Sequence, residues 1–172
     1  MNREIAVKTL TGRGKLNYVF EKKINLENNI SKTLGCWIIN LNYETKIKDE
    51  NLYLEGYYSI QLWYAKDNDQ SSSVYEEKIP FCEKVMMVYR NIPTLNNDRF
   101  VKVFVNQYPS ATQMRLTENQ EVIIKIEALY FVDVFQEAIL VIETKDNAKP
   151  DLTLDEELLM NVNPNYITES KK

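Results

Sequence analysis

Hydrophobic and polar residues alternate along most of the chain, in segments divided by clusters of turn-forming residues, the pattern of half-buried β-strands. Alternation predicts strands over residues 4–10 and 16–24, with Gly12-Arg13-Gly14 between them as a tight hairpin turn in which glycine supplies positive φ. Further strands are predicted over 34–43, 52–65, 74–79, 81–90, 100–107, 112–117, 121–134 and 138–144. Within the region 121–144, residues 127–136 could also be argued as helix. However, Val122, Ile124, Ile126, Ala128, Tyr130, Val132 and Val134 alternate strictly, which favours a strand. From Lys145 the texture changes. A polar linker, DNAKPD, leads to Thr153 and Glu156 in capping-box spacing, and Leu154, Leu158 and Leu159 then fall near one helical face before Asn161 and Pro164 stop the run. A helix of about two turns does not persist alone in water, so it is expected to dock, either on its own sandwich or on a partner. The pattern as a whole predicts an all-β fold: an antiparallel two-sheet β-sandwich over residues 1–144, then a tail over 145–172 with one short amphipathic helix.

The predicted strand at 52–65, LYLEGYYSIQLWYA, poses a specific question. Its even positions form an ordinary core face, while its odd positions, expected to be wet, include Tyr53, Tyr57 and Trp63. At roughly 3.3 Å per residue the strand would span about 45 Å, so it is expected to bend, with Gly56 as the place. Tyrosine and tryptophan offer large contact area with a polar handle. Such a strip suits a protein interface, a carbohydrate platform or packing under the protein's own second sheet. On the first of these readings Tyr53, Tyr57 and Trp63 are candidate self-association residues.

Composition narrows the function. The chain has 172 residues, enough for one domain with a sizeable core, and its 11 Tyr and 6 Phe against only 4 Gly suit strands. Net charge is −4 and the basic residues are scattered, so neither a nucleic-acid backbone nor an anionic membrane surface is an expected partner. The first ten residues hold no apolar run suited to a signal peptide, and residues 128–142 are interrupted by Asp133 and Glu137, so no membrane insertion is expected. A cytoplasmic site of synthesis follows, in which Cys36 and Cys82 are free thiols. The chain has no histidine, which removes the commonest general base and most zinc and iron sites. Glu55, Glu76 and Glu77 read as a solvated strand face, and Asp155, Glu156 and Glu157 as acids favoured in the first turn of a helix. No catalytic, cofactor-binding or metal-binding residue is assigned, and the chain is not expected to be an enzyme.

The segments LGCWIINLNYETKI, LYLEGYYSIQLWYA and VYEEKIPFCEKVMMVYR resemble the outer spore coat morphogenetic protein family CotE, on the clostridial side of that family. The likeness includes Leu34-Gly35-Cys36-Trp37, Glu55-Gly56, Trp63-Tyr64 and Tyr89-Arg90. It extends to the acidic-leucine element Leu154-Asp155-Glu156-Glu157-Leu158 and to Asn163-Pro164. A similar β-domain occurs in a second morphogenetic protein of clostridial spore envelopes. The tail departs from the family pattern: the long acidic stretch before the leucines has shrunk here to DNAKPDLT. The resemblance implies a non-enzymatic scaffold made in the mother-cell cytoplasm and carried into the spore coat. Such a scaffold would be anchored through a SpoIVA-like basement-layer protein, would form homo-oligomers and would recruit outer coat proteins. Leu154, Leu158, Leu159 and Tyr166, in a short segment behind a polar linker, are then candidates for docking those clients. A carbohydrate-binding sandwich and a spore appendage or fibre subunit remain the alternatives.

Overall fold

The computed structural model describes residues 2–26 and 29–143, and every described element is a β-strand. In chain order these are β1 (Asn2–Asn25), β2 (Ile30–Lys48), β3 (Asn51–Lys66), β4 (Ser71–Lys84), β5 (Met86–Tyr89), β6 (Phe100–Leu116) and β7 (Glu121–Glu143). They form a four-stranded sheet in the order β5-β1-β7-β6 and a three-stranded sheet in the order β2-β3-β4, the antiparallel two-sheet architecture expected from the alternation. The predicted tail helix lies outside the described residues.

Lys8–Ala138 make one compact unit. The chain's two ends, Met1–Val7 with Ile139–Lys172, make another, in which 2–7 and 139–143 are described and Val141 is exposed.

The core lies between the inward faces of the strands. From β3 come Leu52, Leu54, Tyr58, Ile60, Leu62 and Tyr64, and from β7 Val122 through Val134 at every even position, all buried. Tyr18, Tyr58, Phe81 and Tyr130 gather their rings at centroid distances of 5.5–6.5 Å. Gly56 sits among these residues, opposite Tyr43 on β2 and Phe81 on β4. It does not take positive φ. Its function is close approach, because a Cβ there would collide with the Asn42 carbonyl oxygen and lie 2.8 Å from the Tyr43 Cα.

The strands expected at 121–134 and 138–144 are one continuous strand, β7, and three further local features differ from the sequence pattern. Gly12-Arg13-Gly14 is not a turn: β1 runs unbroken through it with no glycine at positive φ. Gly12 and Gly14 instead make room for β5, whose Tyr89 ring would lie 2.6 Å from a Cβ at Gly12 and whose Met87 Sδ would collide with one at Gly14. Second, β4 continues through Pro80, which is tolerated because β4 is an edge strand. At Val85, whose N–H donates to the Leu52 carbonyl at 2.8 Å, the chain leaves the three-stranded sheet and enters the other as β5. Third, the segments expected at 100–107 and 112–117 are one strand, β6, with register shifts between Val105 and Gln113 that absorb the extra residues. Left-handed backbone falls where tight connections need it: Asp49 and Glu50 close β2 to β3, and Asp67, Asn68 and Asp69 close β3 to β4.

Candidate interaction surfaces

The outer face of the three-stranded sheet is built from the odd residues of β3 and their cross-strand partners. β3 is the middle strand, so Tyr53, Tyr57 and Trp63 all project from the centre of this face. Trp63 pairs with Gly35 on β2 and Val74 on β4, Gln61 with Trp37 and Glu76, Tyr57 with Asn42 and Pro80, and Tyr53 with Lys46 and Lys84. The left-handed Asn40 and the register shift between Ile39 and Asn42 keep both halves of β2 in phase with β3.

At one end of the face Trp37 and Trp63 stand about Gly35. Trp37 leans over Gly35, where a Cβ would come within 2.8 Å of its ring. Gly35 is the residue opposite Trp63, so the two tryptophans flank the same point of the sheet. Trp37 is 53% exposed and Trp63 and Val74 are each 40% exposed, an outward apolar patch. Beyond it the face turns polar. Gln61 donates to Glu76 at 2.6 Å, and the Lys78 ammonium lies 3.4 Å over the Tyr57 ring. Glu55 takes a 3.0 Å hydrogen bond from Lys46, which holds its carboxyl below the usual range, while the Cys82 thiol faces it at 3.9 Å.

The three aromatic residues singled out from sequence therefore share a face but not a cluster. Tyr57 is capped by a lysine, and Tyr53 stands ten residues from Trp63, about 33 Å along the strand. A continuous sugar-stacking platform does not form. Trp37 is the residue that sequence reasoning missed. Its position in LGCWIIN alternates with Cys36 and Ile38, which pair with the inward Leu62 and Ile60, and that alternation was the available signal.

A second aromatic surface was also missed. On the outer face of the four-stranded sheet Phe100 pairs with Phe135 and Phe104 with Phe131. Phe100 is 53% and Phe104 41% exposed. The alternation Phe100, Lys102, Phe104 against Val101, Val103, Val105 marks it in the sequence.

Among the described residues no group of three or more Cys, Asp or Glu side chains is placed to hold a metal ion. Burial pushes the Cys36 thiol up to about 11, away from the thiolate a nucleophile needs. No helix of the described residues is long and apolar enough to cross a membrane.

The sequence from residue 1 to residue 169 matches the family model of outer spore coat protein E (CotE). The chain belongs to the CotE family. No curated protein matches it. CotE is a family of structural spore coat proteins rather than a known enzyme family, which makes this chain a component of the spore coat.

Proposed function

We propose that this protein is a self-assembling scaffold of the spore coat, and that the Trp37–Trp63 end of the three-stranded sheet is its copy-to-copy contact. The observation that carries this reading is the pair of outward indoles around Gly35, joined by Val74. Exposed tryptophans ringed by polar groups have the composition of an interface centre, where a few aromatic anchors supply most of the affinity. Tyr57, with Lys78 over its ring, belongs to the polar rim of that contact rather than its centre, and Tyr53, between Lys46 and Lys84, lies beyond it at the far end of the face.

As a scaffold it is made in the mother-cell cytoplasm, held on the forespore by a SpoIVA-like basement-layer protein, and recruits outer coat proteins, as its family membership suggests. The test is the mass of the purified full chain by size exclusion with light scattering. Replacing Trp37 and Trp63 by Ser should shift the protein to smaller species with an unchanged circular dichroism spectrum. Unchanged assembly in that variant would remove this face from the contact, and a wild type that is strictly monomeric would remove self-assembly.

A further inference from the structure

The phenyl row on the four-stranded sheet is separate from the tryptophan face and has a different chemistry. The Phe100 and Phe135 rings lie with centroids 6.2 Å apart, and Phe104 and Phe131 form a second phenyl pair two pairs further along, beyond Lys102 and Asp133. Over it stand two ammonium groups: Lys8 Nζ is 4.1 Å from the Phe100 centroid and Lys102 Nζ 4.9 Å from that of Phe104. Neither has a carboxylate partner among the described residues. The acids nearby are largely committed. Asp133, between the two phenyl pairs, is held by Arg13 at 2.8 Å, and Glu137 accepts from Asn96 at 3.2 Å, which leaves Asp98 at the Phe100 end. An apolar floor with two uncommitted cations fits a segment that is itself both apolar and acidic.

Residues 151–160 of this chain, DLTLDEELLM, have that composition: four carboxylates, four leucines, a methionine and no basic residue. We infer that the phenyl row is the docking site for residues 151–160 of a second copy of this chain. The seven residues 144–150 before the segment extend to at most about 25 Å, enough for an arm to reach a neighbour. An arm given to one neighbour while the row accepts an arm from another is a heterologous contact. Such contacts propagate through a polymer rather than closing at a dimer, as a coat layer requires. In this role Leu154, Leu158 and Leu159 join copies instead of capturing coat proteins, and the acidic residues among them pair with Lys8 and Lys102.

The test is a complementation between two full-length variants carrying fluorescent labels at the N-terminus. The arm variant, Leu158→Asp with Leu159→Asp, keeps an intact phenyl row, and the row variant, Phe104→Ser, keeps an intact arm. Lys102→Glu serves as a second row variant that leaves all four rings in place. Energy transfer between arm and row variants should show association at least about tenfold tighter than either variant with itself, because only the mixture can form one arm–row junction. Association through the tryptophan face is equal in all three mixtures, so the difference reads the arm alone and is independent of that contact. Three equal mixtures, with either row variant, would overturn the inference, as would a wild-type strength of association in the arm variant alone.

Discussion

The Tyr18 hydroxyl meets the Tyr58 hydroxyl at 3.0 Å inside the core, so one hydrogen bond ties β1 of the four-stranded sheet to β3 of the three-stranded sheet. Both residues are buried, and burial pushes both phenols above their ordinary pKa. Tyr58→Phe leaves the Tyr18 hydroxyl without its partner, at a cost of about 1–3 kcal/mol for an unsatisfied buried group. Replacing both by Phe removes the orphan as well as the bond. Urea denaturation should therefore find the double variant more stable than Tyr58→Phe alone, and additive losses would show that the bond is not the link between the sheets.

Gly56 and Gly35 lie on the same sheet but predict opposite outcomes. At Gly56 the obstacle to a Cβ is the backbone of Asn42 and Tyr43, which cannot move without breaking the β2–β3 ladder. Gly56→Ala should cost about 1–3 kcal/mol, the range for overpacking a core. At Gly35 the obstacle is the Trp37 ring, a surface side chain free to swing away. Gly35→Ala should leave the melting temperature nearly unchanged while displacing Trp37, read as a shift in tryptophan fluorescence. Equal destabilisation at the two sites would contradict this.

Much of the fold was legible because period-two alternation survives wherever one strand face is buried and the other wet. The even residues of β3 and β7 read correctly for that reason, and so did the outward side of β3. What failed was punctuation. Gly12 and Gly14 look like a turn in isolation, and only Tyr89 and Met87 arriving from β5 explain them. Pro80 reads as a strand break until β4 is known to be an edge. That Tyr53, Tyr57 and Trp63 share the outward side of β3 was legible, while the place of Trp37 over Gly35, opposite Trp63, was not. Which aromatic residues come near one another depends on cross-strand register, and Trp37 leans over the Gly35 that faces Trp63 only through the β2–β3 pairing. Lys78 over Tyr57 is a contact of the same kind, between residues that no local pattern connects.

The two cysteines should differ sharply in reactivity. Cys36 is on the inward side of β2 with its thiol pushed up to about 11, while Cys82 is exposed on the outer face of β4. Since the thiolate is the reactive form, iodoacetamide near pH 8 should label Cys82 and spare Cys36. Cys36 should follow only on unfolding or as the pH approaches 11. Peptide mass mapping that finds Cys36 modified first in the folded protein would place it outside the core.

Acid should weaken the side-chain ion pair between Lys22 on β1 and Glu77 on β4. Burial raises the Glu77 carboxyl, but hydrogen bonds from Lys22 and Tyr75, each 2.7 Å, outweigh it and hold the group below its ordinary value of 4.5. A depressed carboxylate contributes stability that is present above the unfolded value and lost as pH falls through the folded one. Glu77→Gln should thus be less stable than wild type at neutral pH, by well under about 1 kcal/mol given the partly exposed pair, with the difference fading below pH 4.5. A gap that widens on acidification would reverse the sign.

The central claim is that outward aromatic surface on this coat protein joins one copy to the next. Sedimentation velocity of the full-length protein over a wide concentration range tests it most directly, with the double variant Trp37→Ser, Trp63→Ser run alongside. The wild type should sediment well above the 20.3 kDa of one chain, with a weight-average mass that climbs with concentration, and the variant should fall toward the monomer while keeping its fold. A wild type that stays at 20.3 kDa throughout, or a folded variant whose masses overlie those of the wild type, would contradict the account.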